Sequence, residues 1–247
     1  MERNEHFDSG SLADVVVHLA WAQLEIFADD VDKIQVLVSG DDQSVNDLRI
    51  LATDGILLVE QPQYGLSLNI VDGHWMQVCI RMPRSWQKPI HINTISGLLS
   101  ARGLHGRSIL LDTVSGDLRA VRIKAQELKL KTVSGDVRAE DLHADTLSVR
   151  SISGDIVLDI LQVDTLRCNS VSGEQTYHMS AAFKRVDINT VSGAVVITSP
   201  LERMNVSLRS LSGRVRTEGV SLSDDASAPA VRITGISADL KLISIKE

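Results

Sequence analysis

Four acidic residues, Asp117, Asp136, Asp155 and Glu174, recur at intervals of 19 residues, each directly after a Ser-Gly pair. Stacked carboxylates supply the oxygen ligands that Ca²⁺ takes. A carboxylate pair is also what glycoside cleavage needs, one acting as acid and the other as base or nucleophile. Arg119 and Arg138 stand two residues beyond the first two acids, on the same strand face, so a self-compensated charge ladder explains the row without a ligand. The slot then becomes Ala194 and Arg214, and the glycine-rich nonapeptide of calcium-binding β-rolls does not occur. Sugar grooves offer aromatic faces, yet beyond residue 91 the only aromatics are Tyr177 and Phe183.

The serines of the repeated pair offer hydroxyls, but a nucleophilic Ser needs an adjacent base held by a third group. The histidines (His6, His18, His74, His91, His105, His143, His178) keep no fixed offset from the pairs, and no His-x-x-x-His or clustered Cys/His pattern gives metal-ligand spacing. His74, His91 and His105 can meet only if the fold brings them together. The phosphate-cradling patterns G-x-G-x-x-G and G-x-x-x-x-G-K-[ST] are missing. Cys79 and Cys168 are far apart and read as free thiols, with Cys168 on an inward position and Cys79 more exposed. No catalytic, cofactor-binding or metal-ligating residue is assigned, no cofactor is implied, and the chain reads as not an enzyme.

These residues sit on a repeat. Thr132-Val133-Ser134-Gly135-Asp136-Val137-Arg138-Ala139 is echoed by Thr113-Val114-Ser115-Gly116-Asp117-Leu118-Arg119-Ala120 and by shorter copies on both sides. The glycines Gly97, Gly116, Gly135, Gly154, Gly173, Gly193 and Gly213 step by 19, 19, 19, 19, 20 and 20. A fixed period of this size means stacked coils that share one core. Apolar residues occupy the same places in successive copies, as in Ile109, Leu128, Leu147, Leu166, Val186 and Val206, and again in Leu111, Leu130, Val149, Cys168, Ile188 and Leu208. A further column, Leu118, Val137, Ile156, Val195 and Val215, is broken by Gln175. The alternation is that of half-buried strands. Seven coils at about 4.8 Å make a rod on the order of 30 Å long. The expected fold is all-β: a right-handed parallel β-solenoid with coils of about 19 residues.

Residues 1–12 are polar and are expected to be mobile. Residues 13–90 lack the beat and read as a short-strand β section that caps or starts the stack. Strands are expected at 15–19, 24–27, 34–38, 48–51, 56–59, 66–70 and 76–82, with 39–42 a turn and Asp54-Gly55 a hairpin. Residues 91–247 form the solenoid. An altered copy, 231–247, carries Ala238 in the glycine slot and is expected to be the terminal coil.

The spaced T-V-S-G-D-V copies behind a β-rich section resemble the bacterial β-strand-repeat family described as adhesin-like, also called toastrack, formally a domain of unknown function. The resemblance covers roughly residues 15–247 and implies a right-handed β-solenoid with no established catalytic residues.

The net charge of −7 argues against nucleic acid and anionic membranes as partners. No apolar run reaches the roughly 18 residues that span a bilayer, and the charged start, Met1 to His6, leads into no signal-peptide core. The cytoplasm is the default expectation, with a secreted or cell-surface setting as the alternative. The reading is a scaffold or interaction module that offers a rigid surface to a protein partner. The alternatives are a self-assembling, cytoskeletal-type β-helix, which would make the chain a homo-oligomer, and a carbohydrate- or calcium-binding module.

Overall fold

The computed structural model describes residues 1–62 and 74–245. The strand expected at 66–70 lies outside the described residues. The N-terminal section comprises β1 (Glu2–Asp8), β2 (Asp14–Leu19), β3 (Gln23–Asp29), β4 (Lys33–Gly40), a short helix α1 (Asp42–Asp47), β5 (Arg49–Thr53), β6 (Ile56–Glu60), β7 (Met76–Pro83), β8 (Ile90–Ser96) and β9 (Leu99–Arg102). The repeats follow as β10 (His105–Ser115), β11 (Leu118–Lys131), β12 (Val137–Arg150), β13 (Ile156–Ser170), β14 (Gln175–Met179) and β15 (Arg185–Ser199). The chain closes with β16 (Arg203–Ser210), β17 (Val215–Glu218), β18 (Ser221–Leu222) and β19 (Ala230–Ser244).

The repeat strands pair in parallel with no register slip from coil to coil through β10, β11, β12 and most of β13. One inward column runs Val15, Ile90, Ile109, Leu128, Leu147, Leu166, Val186, Val231 and Val206, each opposite the next. All but Val206 are fully buried. A second column contains Leu130, Val149, Cys168 and Ile188 in succession, again buried. No single coil can bury its own face. Stacking is what removes these side chains from water, and the burial of each aliphatic group is worth about 1.5–3 kcal/mol.

Spatial order departs from sequence order at both ends. β2 lies between β6 and β8, and β3 between β7 and β9. β19 lies between β15 and the pair β16–β17. The altered copy at 231–247 is therefore not the terminal coil; the outer coil is 203–218. Its linker carries the chain past that level, and β19 then returns inward. Ala238 nevertheless fills the glycine slot, opposite Gly193 and fully buried.

The opposite end is closed by antiparallel strands. β4 pairs with β7, β1 with β4, and β5 with β6. The expected mobility of residues 1–12 is corrected here, because Glu2–Asp8 form a seven-residue strand. Its charged composition hid a sheet edge. Arg3 bridges Glu5 at 2.5 Å and donates to the Leu48 carbonyl at 2.7 Å, while Phe7 packs against the core. Charges paired in this way on an end strand blunt further pairing. The hairpin at Asp54-Gly55 forms with φ of 53° and 77°, as its type I′ geometry requires. Residues 39–42, expected as a turn, lead instead into α1, which Asp41 caps by accepting the Ser44 amide. No helix among the described residues is long and apolar enough to cross a membrane.

Candidate functional site

The acids stack as a row, and the first three, Asp117, Asp136 and Asp155, each give one oxygen to the backbone of the next coil. Asp117 Oδ1 accepts the Asp136 amide at 3.1 Å, and Asp136 Oδ1 accepts the Asp155 amide at 2.9 Å. Asp155 Oδ1 accepts the Glu174 amide at 2.9 Å. Asp239 repeats the device on the Arg214 amide at 2.9 Å. Each carboxylate thus staples one corner to the corner of the neighbouring coil. The second oxygen of Asp136 takes the Arg138 guanidinium at 2.8 Å. The Asp155 amide, and after it Arg138, hold the Asp136 carboxyl below its ordinary range. Among the described residues no group of three His, Cys, Asp or Glu side chains is placed to hold a metal ion.

The structure does not gather His74, His91 and His105. His74 Nδ1 lies 3.2 Å from Asp41, His91 Nδ1 lies 3.5 Å from Asp14, and His105 sits on β10 opposite Lys124. One Ser, His and Asp do meet, a grouping that sequence spacing did not reveal. Ser44 Oγ is 3.4 Å from His74 Nδ1, but it donates to Asp41 Oδ2 at 2.6 Å. The hydroxyl proton points at the carboxylate rather than at a base, so the grouping is a helix cap and not a nucleophile. The Ser44 hydroxyl and amide hold the Asp41 carboxyl well below the usual carboxylate range.

What repeats without interruption and faces outward is apolar. The residue before each motif serine forms the column Ile95, Val114, Val133, Ile152, Val171, Val191, Ile236 and Leu211. Seven of these are 42–54% exposed and Leu211 is 87% exposed. Backbone bonds tie the corners together, with Ser134 N–H to the Val114 carbonyl, Ser153 N–H to Val133 and Ser172 N–H to Ile152. At about 4.8 Å per coil the column makes an apolar ridge about 34 Å long. Lys131 and Arg150 flank it on one side, and Asp136 and Asp155 on the other. The signal was present in the seven Ser-Gly copies, as a Val, Ile or Leu between a Thr or Ser and the motif Ser; in the altered copy Gly235 precedes Ile236.

The Toastrack DUF4097 family model matches residues 13–245. The chain belongs to this family. Several solved Toastrack-like structures align over nearly the whole chain. A proposed adhesin from Bacteroides fragilis is 12% identical, with a TM-score of 0.56, covering 99% of this chain and 97% of its own. A proposed lipid-binding protein from Parabacteroides distasonis is 14% identical, with a TM-score of 0.54, covering 100% of this chain and 96% of its own. A proposed adhesin from the same organism is 12% identical, with a TM-score of 0.52, covering 98% and 97%. At these identities the likeness is one of fold. No curated protein matches the chain.

Inside this Toastrack stack a buried polar network centres on Gln175. Cys168 Sγ donates to Gln175 Oε1 at 3.4 Å, and Tyr177 Oη donates to the same oxygen at 2.9 Å. Gln175, the exception in its column, is therefore the shared acceptor of a buried network. Burial pushes the Cys168 thiol up to about 12, which leaves it unreactive. Burial also raises the half-buried Cys79 thiol.

Proposed function

We propose that this chain is a non-enzymatic β-solenoid scaffold that presents a rigid apolar edge to a protein partner. The observation that carries this reading is the unbroken ridge from Ile95 to Leu211. Continuous exposed apolar surface on an otherwise well-buried fold marks an interaction site. The ridge needs little ordering on binding, because all of its residues but Leu211, on the outermost coil, are held between two coils of a parallel ladder. The adhesin names carried by similar structures agree with a binding role. The net charge of −7 weighs against nucleic acid or an anionic membrane as the counterpart.

The test is a Val133→Lys, Ile152→Lys, Val171→Lys variant, compared with the parent in the native host by a photo-cross-linker at Ser134. A discrete adduct with the parent, lost in a variant of unchanged melting temperature, is the expected result. Adducts that survive the three substitutions would remove the ridge from the interface.

A further inference from the structure

Among the described residues the outer coil leaves strand edges unpaired. β16 pairs with β19 on one side, and on the other only Arg203 and Met204 meet β18. Among the described residues β17 pairs with β19 alone. The Asn205 amide goes to the Pro229 carbonyl, and the Leu240 amide comes to the Arg214 carbonyl. Alternation along a strand then turns the N–H and C=O groups of Val206, Leu208, Val215 and Thr217 away from β19. The core is open at the same place. Val206 and Leu208 are only partly buried and Val215 is 36% exposed, whereas Val231, Ile233 and Leu240 one level inward are buried.

Charge says what suits this edge. Arg209, Arg214 and Arg216 are exposed around it, and none of the three forms an ion pair among the described residues. Glu218, the nearby acid on β17, is taken by Lys241. A chain of net charge −7 thus keeps three unpaired guanidiniums beside its open strand edge. A second copy does not complement it. The far end of the stack is closed by the Arg3–Glu5 pair, and a like end would bring arginines against arginines.

We infer that the β16–β17 edge is a docking site for an extended acidic segment of another protein, added as a further strand. Its main chain bonds the free groups of Val206, Leu208, Val215 and Thr217. Its alternate apolar side chains cover Val206, Leu208 and Val215, and the acids between them face Arg209 and Arg216. This inference does not depend on the ridge.

The probe is a synthetic peptide of alternating Glu and Val, with a Lys-for-Glu peptide as control, titrated by fluorescence anisotropy and mapped by amide hydrogen exchange. The acidic peptide is expected to bind, to weaken with added salt, and to protect amides between 206 and 218. Arg209→Glu with Arg216→Glu is expected to weaken it at least about tenfold. Thr217→Pro, which removes an amide turned away from β19 at an exposed position, is expected to block it without lowering the melting temperature. Equal binding of the Lys peptide, protection elsewhere, or no binding at millimolar peptide overturns the inference. So does a chain of twice the monomer mass with the edge amides already protected, since a second copy would then hold the edge.

Discussion

Gly135 stacks on Gly116 so closely that a Cβ added to Gly135 would lie 2.3 Å from the Gly116 carbonyl oxygen. The obstacle is backbone, which cannot swing aside, and Gly135 also holds φ at 132°. Gly135→Ala is therefore expected to cost about 3 kcal/mol, combining strain with overpacking. Gly103→Ala is the control. Its φ is 66°, but its nearest neighbour would be the Ala28 Cβ at 3.7 Å, so about 1 kcal/mol is expected there. Urea denaturation of the two variants separates close approach from φ; equal losses would show that approach does not matter.

The staple reading of the acidic row sets Asp136→Ala against Asp136→Asn. Alanine strands the Asp155 amide and is expected to cost about 1 kcal/mol at this partly solvated corner. Asparagine keeps an acceptor oxygen and is expected to cost less. Millimolar calcium is expected to leave the melting temperature of the parent unchanged. A calcium-dependent rise that Asp136→Asn abolishes would instead make the row a cation site.

Cys168 gives a pH dependence with a defined sign. A thiol in the unfolded chain titrates near about pH 8.5, whereas in the fold Cys168 is pushed up to about 12. Above about pH 8.5 the unfolded chain releases a proton that the native chain keeps, so this contribution to stability is whole below that pH and drains away as pH rises. Cys168→Val, matching Val149 in the same column, is expected to flatten the decline between about pH 8.5 and 10 in urea midpoints. An unaltered slope would assign the alkaline loss to another group.

Ile160 holds φ at 52°, a β-branched residue in the left-handed region, in step with Arg122 at 55° and Asp141 at 57°. Ile160→Asn should relieve strain and raise stability by about 1 kcal/mol. A loss of similar size in the urea midpoint would mean that the packing of the isoleucine outweighs its backbone.

Leu130, Val149 and Cys168 were legible as one column because a strand period of two and a repeat of 19 residues fix the same face in every coil. The level at which a coil sits was not legible. Val15 and Val231 obey the inward pattern equally well at any height, so nothing local says that each lies one level inside its end. The sequence Glu2–Asp8 looked like a mobile tail because the partner that makes it a strand, β4, is remote and the ion pair within it resembles solvated charge. The acids of the motif were visible, but the amides they bind were not, since a backbone donor has no residue type. Val133 and Ile152 carried a signal of their own, an outward place between Thr132 or Ser151 and a corner serine, which nothing polar marks.

The placement of β19 bears on how the protein is made. A ribosome delivers β15 and β16 before residues 230–244 exist, yet those residues must end up between them. Coils cannot simply be laid down in the order of translation; a gap has to stay open, or reopen, for the last arrival. The first coil meets the same condition in reverse, because β2 and β3 are enclosed only once β6, β7, β8 and β9 have emerged. A rod that would otherwise peel from its C-terminal tip is bolted there, since the outermost layer, β16 and β17, does not contain the stretch nearest the chain end; at the other tip the chain's first strand, β1, stays on the outside against β4.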